Sequence, residues 1–212
     1  MLTVLKDGGT ATDAAIASAL CIGVTNMFSA GIGGGGFMVI TPNVSSDSAA
    51  LSTCREPIAI DFRETAPAAS WPTMFSARAD DPDFDGARAS RVGGLAVGVP
   101  GELRGLEAAY EACGGGVSWA RLFEPSVALA RELKVGNELG RRLALEWPVG
   151  HKMFAWILDH EPWRAVFAPD GDLVKAGDRI HREAYARTLE TVARHGADAF
   201  YRVSHRSSPL CL

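Results

Sequence analysis

The run Ser29-Ala-Gly-Ile-Gly-Gly-Gly-Gly-Phe37 limits the folds open to this chain more than any other stretch. Before it, Thr12 or Asp13 can cap a helix reaching to about Asn26. Ala14, Ala15, Ile16, Ala17, Ala19, Leu20 and Ile22 wrap nearly all round that helix. A helix apolar on every side is expected to lie between layers, and its alanines let neighbours approach closely. After the run, Phe37-Met-Val-Ile-Thr41 is short and apolar and reads as a buried strand. The order is therefore helix, glycines, strand. Phosphate-binding loops have the opposite order, with a strand before the glycines and a helix N-terminus facing the phosphate after them. The Lys-Ser/Thr of a P-loop is also missing from the run. Glycines in this setting point to a backbone that passes very close to another element or a ligand, where a Cβ would clash. The other glycine clusters, at 93–101 and 114–116, mark special backbone sites in the same way and not low complexity.

A second informative stretch is Ile58-Ala-Ile-Asp-Phe-Arg-Glu-Thr-Ala-Pro67. Ile58, Ile60 and Phe62 alternate with Ala59, Asp61 and Arg63, a strand period. Pro67 stops the strand, since it removes a ladder donor and restricts the residue before it. Arg63 and Glu64 stand where the strand ends. The planar fork of an arginine at that place matches the two oxygens of a carboxylate. The plain alternative, and the ordinary one for these residues alone, is an ion pair between Arg63 and its own Glu64.

Elsewhere the chain reads as a helical body. Residues 42–57 form a polar, Ser-rich connection, expected to be an exposed hairpin loop between strands 37–41 and 58–62. The acidic stretch 71–91 carries Asp80-Asp-Pro-Asp-Phe-Asp-Gly86 but lacks the alternation and position-twelve glutamate of a calcium loop, so it reads as solvated. Residues 94–99 suggest a third strand, followed by a helix over Glu102–Cys113. Ser118 can cap a short helix, Pro125 suits the first turn of another, and Asn137 can cap one with Leu139, Leu143 and Trp147 on one face. His181–His195 is amphipathic and ends at Gly196. The last ten residues, 203–212, have no period and no cap, and are expected to pack poorly.

The chain of 212 residues can bury one sizeable core. Its net charge of −4 provides no basic surface, which argues against nucleic acid as a partner. Cys21, Cys54, Cys113 and Cys211 show no CxxC or paired spacing. Cys21 and Cys113 read as small buried hydrophobes, with neither a disulfide framework nor a zinc site expected. The five histidines, from His151 to His205, form no HExxH pair, so no metal is expected. No stretch has the roughly 20 apolar residues of a membrane span, and the chain as given opens without a signal sequence.

Taken in order, five segments resemble the large-subunit half of gamma-glutamyltransferases, the gamma-glutamyltranspeptidases or glutathione hydrolases. They are Gly8-Gly-Thr-Ala-Thr-Asp-Ala-Ala-Ile-Ala17, the glycine run 29–37, Asp61-Phe-Arg-Glu-Thr-Ala-Pro67, Gly94-Leu-Ala-Val-Gly-Val-Pro-Gly101 and Gly196-Ala-Asp-Ala-Phe-Tyr201. The resemblance covers residues 5–202 and implies an N-terminal nucleophile hydrolase, an αββα sandwich of which this chain supplies only the large-subunit portion. It divides the chain into an incomplete large-subunit-like region, 1–202, and a non-family tail, 203–212. The implied reaction is attack of a small-subunit N-terminal threonine on the γ-glutamyl amide of glutathione or its conjugates. Transfer to water or to an amino-acid or dipeptide acceptor follows, and the α-amino group of that threonine acts as its own base. The implied partners are γ-glutamyl compounds and the small subunit of the same precursor. No cofactor is implied, and the family is usually secreted, periplasmic, vacuolar or anchored at the cell surface. Arg63 matches the arginine that holds the α-carboxylate of the γ-glutamyl group, and Gly33–Gly36 match a scaffold glycine loop.

The departures from the family pattern set further expectations. The sequence contains no Thr-Thr-His motif, so no catalytic nucleophile is assigned to it, and Ser45-Ser46 and Ser207-Ser208 are in the wrong context for the family's paired serines. Thr10 replaces the Asn of a Gly-Gly-Asn-Ala motif. The resemblance stops at Arg202 in the manner of a frameshift, a retained intron or a fragmentary gene model. The alternatives carried forward are a truncated product, a catalytically dead γ-glutamyl-binding module and, more remotely, a nucleotide-binding domain. A chain that has lost its sheet partners is also expected to be aggregation-prone.

Overall fold

The computed structural model describes residues 1–42, 54–78, 80–146 and 153–202. Leu2–Lys6 forms a short helix, α1, and Ala11–Thr25 forms α2. Thr10, and not Thr12 or Asp13, caps α2. Its hydroxyl accepts the Asp13 N–H at 3.1 Å and the Asp13 carboxylate accepts the Thr10 N–H at 2.8 Å, a reciprocal capping box. The carboxylate of Asp13 also accepts the N–H groups of Gly115 and Gly116, at 3.0 and 2.9 Å. It thereby ties the start of α2 to the end of helix α4, Glu102–Cys113. The all-round burial expected of α2 is incomplete: Ile16, Ala17, Leu20 and Val24 enter the core, while Ala15 and Ile22 on the far stripe are exposed.

Strands β1, Phe37–Ile40, and β2, Ile58–Asp61, pair antiparallel with Phe37 opposite Asp61 and Ile40 opposite Ile58. The hairpin is as expected, although residues 43–53 of its connection lie outside the described residues. Met38, Ile40 and Ile60 pack on the core, whereas Phe37 and Val39 on the opposite face are 67% and 72% exposed. The third strand is a correction. Gly94–Ala96 is a 3-10 turn, and strand pairing here is a single bridge in which Thr65 and Val99 exchange N–H···O bonds at 3.2 and 2.8 Å. Gly93, at φ +94°, turns the chain away from extended geometry just before this stretch.

After a one-turn helix α3 at Gly86–Ala89, α4 leads into α5, Trp119–Arg131. Ser118 caps α5, accepting the Arg121 N–H at 3.3 Å. The helix runs straight through Pro125, which does not start a new one. An interior proline costs about 3 kcal/mol in an isolated helix, and packing offsets it here. Leu122, Phe123 and Val127 of α5 are buried against α2 and against α8, Glu183–His195. Trp119 donates its indole N–H to the Val192 carbonyl at 3.2 Å and meets Phe123 edge-on, at 4.9 Å between centroids. Gly196 ends α8 at φ +77°, as expected, and a last turn, α9, spans Asp198–Tyr201.

A smaller apolar cluster sits beside this body. It gathers β3 and β4, Leu133–Lys134 paired with Arg179–Ile180, with α6, Asn137–Leu143, and α7, Glu161–Phe167. Leu139 and Leu143 face inward as expected. Gly136 is the capping residue and Asn137 the first residue of α6; Trp147 lies outside the described residues. The described residues thus form a mixed α/β arrangement with two two-stranded sheets, and the αββα sandwich is not closed among them.

The cysteine expectation also needs correction. Cys54 and Cys113 form a disulfide, with Cα atoms 4.9 Å apart, joining the segment before β2 to the end of α4. The two are 59 residues apart in sequence, so no local spacing marks them. Cys21 is a free thiol, while Cys211 and the expected tail 203–212 lie outside the described residues.

Candidate functional site

The ladder of β2 continues one residue past the strand: Phe62 donates to the Gly36 carbonyl at 3.0 Å and accepts the Gly36 N–H at 3.3 Å. The end of the glycine run is thereby fixed to the residue before Arg63. The Asp61 carboxylate then accepts the Arg63 N–H at 3.0 Å, turning the chain outward. Close approach accounts for Gly35 of the run and for Gly105 of α4, while Gly33 faces open space. A Cβ on Gly35 would lie 2.3 Å from the Phe62 carbonyl oxygen, and one on Gly105 of α4 would lie 2.1 Å from the Phe62 side chain. The Gly34 carbonyl accepts the N–H groups of Gly101 and Glu102, at 2.9 and 3.0 Å. Loop, strand end and the start of α4 are locked together around Phe62.

Arg63 projects from this fixed point with its side chain 70% exposed, and its Nε lies 3.6 Å from the Glu64 carboxylate. The ion pair expected between Arg63 and its own Glu64 is therefore present in the geometry. An exposed pair of this kind contributes no more than about 1 kcal/mol, so it holds the guanidinium weakly. Arg63 lines an open cleft of about 730 Å³ with Gly33, Glu64, Ala96, Val97 and Gly98.

A second cavity, of about 480 Å³, lies beneath the glycine run and shares Gly33 and Glu64 with the first. Among its lining residues, Glu102, Arg182 and Tyr185 carry no local sequence signal that marks them. Glu102 is buried in the first turn of α4. Burial pushes its carboxyl pKa up, a hydrogen bond from the Gly31 backbone opposes this, and the nearby negative charge of Glu64 adds to it. Burial likewise pushes the Tyr185 hydroxyl up, against the influence of Arg182 and of a hydrogen bond from the Ile32 backbone. The Arg182 guanidinium lies over the Tyr185 ring at 4.1 Å, and burial lowers its pKa. A carboxylate in a first helical turn is commonplace, and Arg182 and Tyr185 come from a segment about 80 residues further on; no local pattern could have joined them.

Comparison with known proteins decides the family. The family model described as Gamma-glutamyltranspeptidase matches residues 2–205. The chain belongs to the gamma-glutamyltranspeptidase family. Glutathione hydrolase proenzyme 1 of Schizosaccharomyces pombe is 40% identical over 200 residues, 93% of this chain and 28% of that protein. The glutathione hydrolase proenzyme of Bacillus subtilis is 33% identical over 205 residues, covering 94% of this chain and 31% of its own length. The chain thus spans less than a third of these relatives.

Solved structures agree. Helicobacter pylori gamma-glutamyltranspeptidase superposes with a TM-score of 0.77 at 27% identity, over 96% of this chain and 53% of that one. The Pseudomonas nitroreducens gamma-glutamyltranspeptidase, complexed with L-DON, gives 0.73 at 30% identity, with the same coverage. The mixed α/β arrangement is therefore a portion of a gamma-glutamyltranspeptidase fold of the N-terminal nucleophile hydrolase class.

Proposed function

We propose that this chain is the γ-glutamyl-binding portion of a glutathione hydrolase/γ-glutamyltransferase, and that Arg63 holds the α-carboxylate of the γ-glutamyl group. The observation that carries the proposal is the placement of Arg63. Its backbone is fixed through Asp61, Phe62 and Gly36, while its guanidinium is open to a cleft and, among the described residues, held by a weak contact to Glu64. A rigid base with a free planar fork suits bidentate capture of a carboxylate. The reaction would break the γ-glutamyl amide and pass the acyl group to water or to an amino-acid acceptor. Its nucleophilic threonine would come from outside residues 1–202, since no Thr-Thr or Thr-His pair occurs in this sequence. Small subunit and large-subunit portion would then share one active site.

The test uses a full-length precursor that contains this segment. Arg63→Lys keeps the charge and loses the fork, so KM for glutathione should rise by about tenfold or more, with kcat changed much less. An unchanged KM sinks the assignment.

A further inference from the structure

Helix α4 meets the strand that leads to Arg63 at both of its ends. At its start, the Gly34 carbonyl accepts the N–H groups of Gly101 and Glu102, and Gly105 lies against Phe62, so close that an added Cβ would fall 2.1 Å from the ring. At its end, Cys113 is bonded to Cys54, in the segment just ahead of β2. The stretch from Cys54 to Phe62 is therefore laid antiparallel along α4, with a close packing contact at one end and a covalent bond at the other. The covalent end is itself anchored. The Cys113 carbonyl accepts the Thr10 hydroxyl at 3.2 Å, and Gly115 and Gly116 just beyond it donate to the buried Asp13 carboxylate at 3.0 and 2.9 Å. Cys54 and Cys113 are 8% and 2% exposed, so the bond lies within the packed structure and is shielded from thiols in solution.

We propose that the Cys54–Cys113 disulfide is a positioning element for Arg63. It holds β2 in place along α4, and so fixes the point from which the guanidinium reaches the carboxylate of the γ-glutamyl group. This rests on the role of Arg63 proposed above. Arg63 directly follows Phe62, so its direction is set by where β2 ends. With the bond absent, β2 keeps only the contact at Phe62 and the ladder to β1, and the hairpin can pivot about that contact as a unit. Bidentate capture needs the fork aimed to within about 10–20°, so such a pivot weakens binding without touching the bond-breaking step. A disulfide that merely limits the unfolded chain would lower stability when lost and leave substrate affinity alone.

The test uses a full-length precursor containing this segment, with Cys54→Ala and Cys113→Ala made together so that no odd thiol remains. Amide exchange over residues 58–62 should become about tenfold faster, while Leu189 and Val192 of the buried face of α8 stay as they were. KM for glutathione should rise about threefold or more, with kcat within about twofold. In an Arg63→Lys background the same pair of substitutions should raise KM no further, because the fork that they misdirect is gone. If the alanine pair does not accumulate folded, the bond is opened in the folded wild type with a phosphine reductant, and labelling of Cys54 and Cys113 confirms the opening. KM should then rise as above and return on reoxidation. An unchanged KM in an enzyme where Arg63→Lys raises it overturns the proposal, and so does an equal rise in both backgrounds. If Arg63→Lys itself leaves KM unchanged, the Arg63 reading fails, and exchange over residues 58–62 decides the disulfide separately: faster exchange keeps it as the clamp on β2, unchanged exchange removes it.

Discussion

The helical body and the strand edge of this chain are built on opposite terms. In the body, α2, α4, α5 and α8 bury Ile16, Leu20, Leu103, Leu106, Phe123 and Leu189 completely, and the buried carboxylate of Asp13 accepts three backbone N–H groups. At the edge, β1 turns Phe37 and Val39 outward, and Val92 and Val97 are exposed as well. Arg63 keeps its guanidinium in the open, in a cleft that Val97 also lines. The difference separates a buried body, where the apolar contacts are concentrated, from an edge that leaves Arg63 and several large apolar side chains uncovered. The hinge between them is Phe62, clasped between the glycine run and Gly105 of α4.

The contrast can be broken or sharpened by substitution. In the body, Phe123→Ala should cost about 3–5 kcal/mol, because it deletes a fully buried ring between α2, α5 and α8. Urea unfolding measures it; a loss below about 1 kcal/mol would mean that this core is not where stability resides. Asp13→Ala should cost about 3 kcal/mol by stripping the acceptor from the N–H groups of Thr10, Gly115 and Gly116. Hydrogen exchange at the glycine amides reports the loss directly.

At the hinge, Gly105→Ala should cost about 1–3 kcal/mol by forcing the Phe62 side chain aside. Its sharper signature is functional: in a full-length precursor it should raise KM for glutathione along with instability, whereas Phe123→Ala, at equal residual fold, should not. At the rim, Phe37→Thr with Val39→Thr should change stability by no more than about 0.5 kcal/mol per site. The same double variant should reduce self-association of the isolated chain in sedimentation velocity, since it removes two exposed apolar side chains from one strand face. An unchanged association state would remove β1 as the sticky surface.

Much of the fold was legible because its signals are local. The spacing of Leu103, Leu106 and Cys113 marked α4, the alternation at 58–62 marked β2, and Gly196 marked the end of α8. Misreadings arose where a distant contact overrules a local preference. Pro125 reads as a helix start, yet burial of Phe123 and Val127 carries α5 through it. Residues 94–99 read as a strand, yet among the described residues only Val99 finds a pairing partner there, Thr65. Cys54 and Cys113 read as unrelated thiols because the disulfide depends on α4 delivering one to the other.

At the site, local sequence was enough to place Arg63 at the end of a strand and to show that the glycine run passes close to something. Both follow from short-range rules of period, proline and missing Cβ. What it passes close to is fixed by contacts between distant parts of the chain. The tertiary structure set Phe62 against the run, kept Glu64 as a weak partner of Arg63, and brought Glu102, Arg182 and Tyr185 into a cavity beside it. The physical reason is that burial and electrostatics depend on distance in space. Tyr185 and Arg182 acquire their character from burial and from each other, and Tyr185 also from Glu102 and the Ile32 backbone, some 80 and 150 positions away in the chain; no window of sequence contains that neighbourhood.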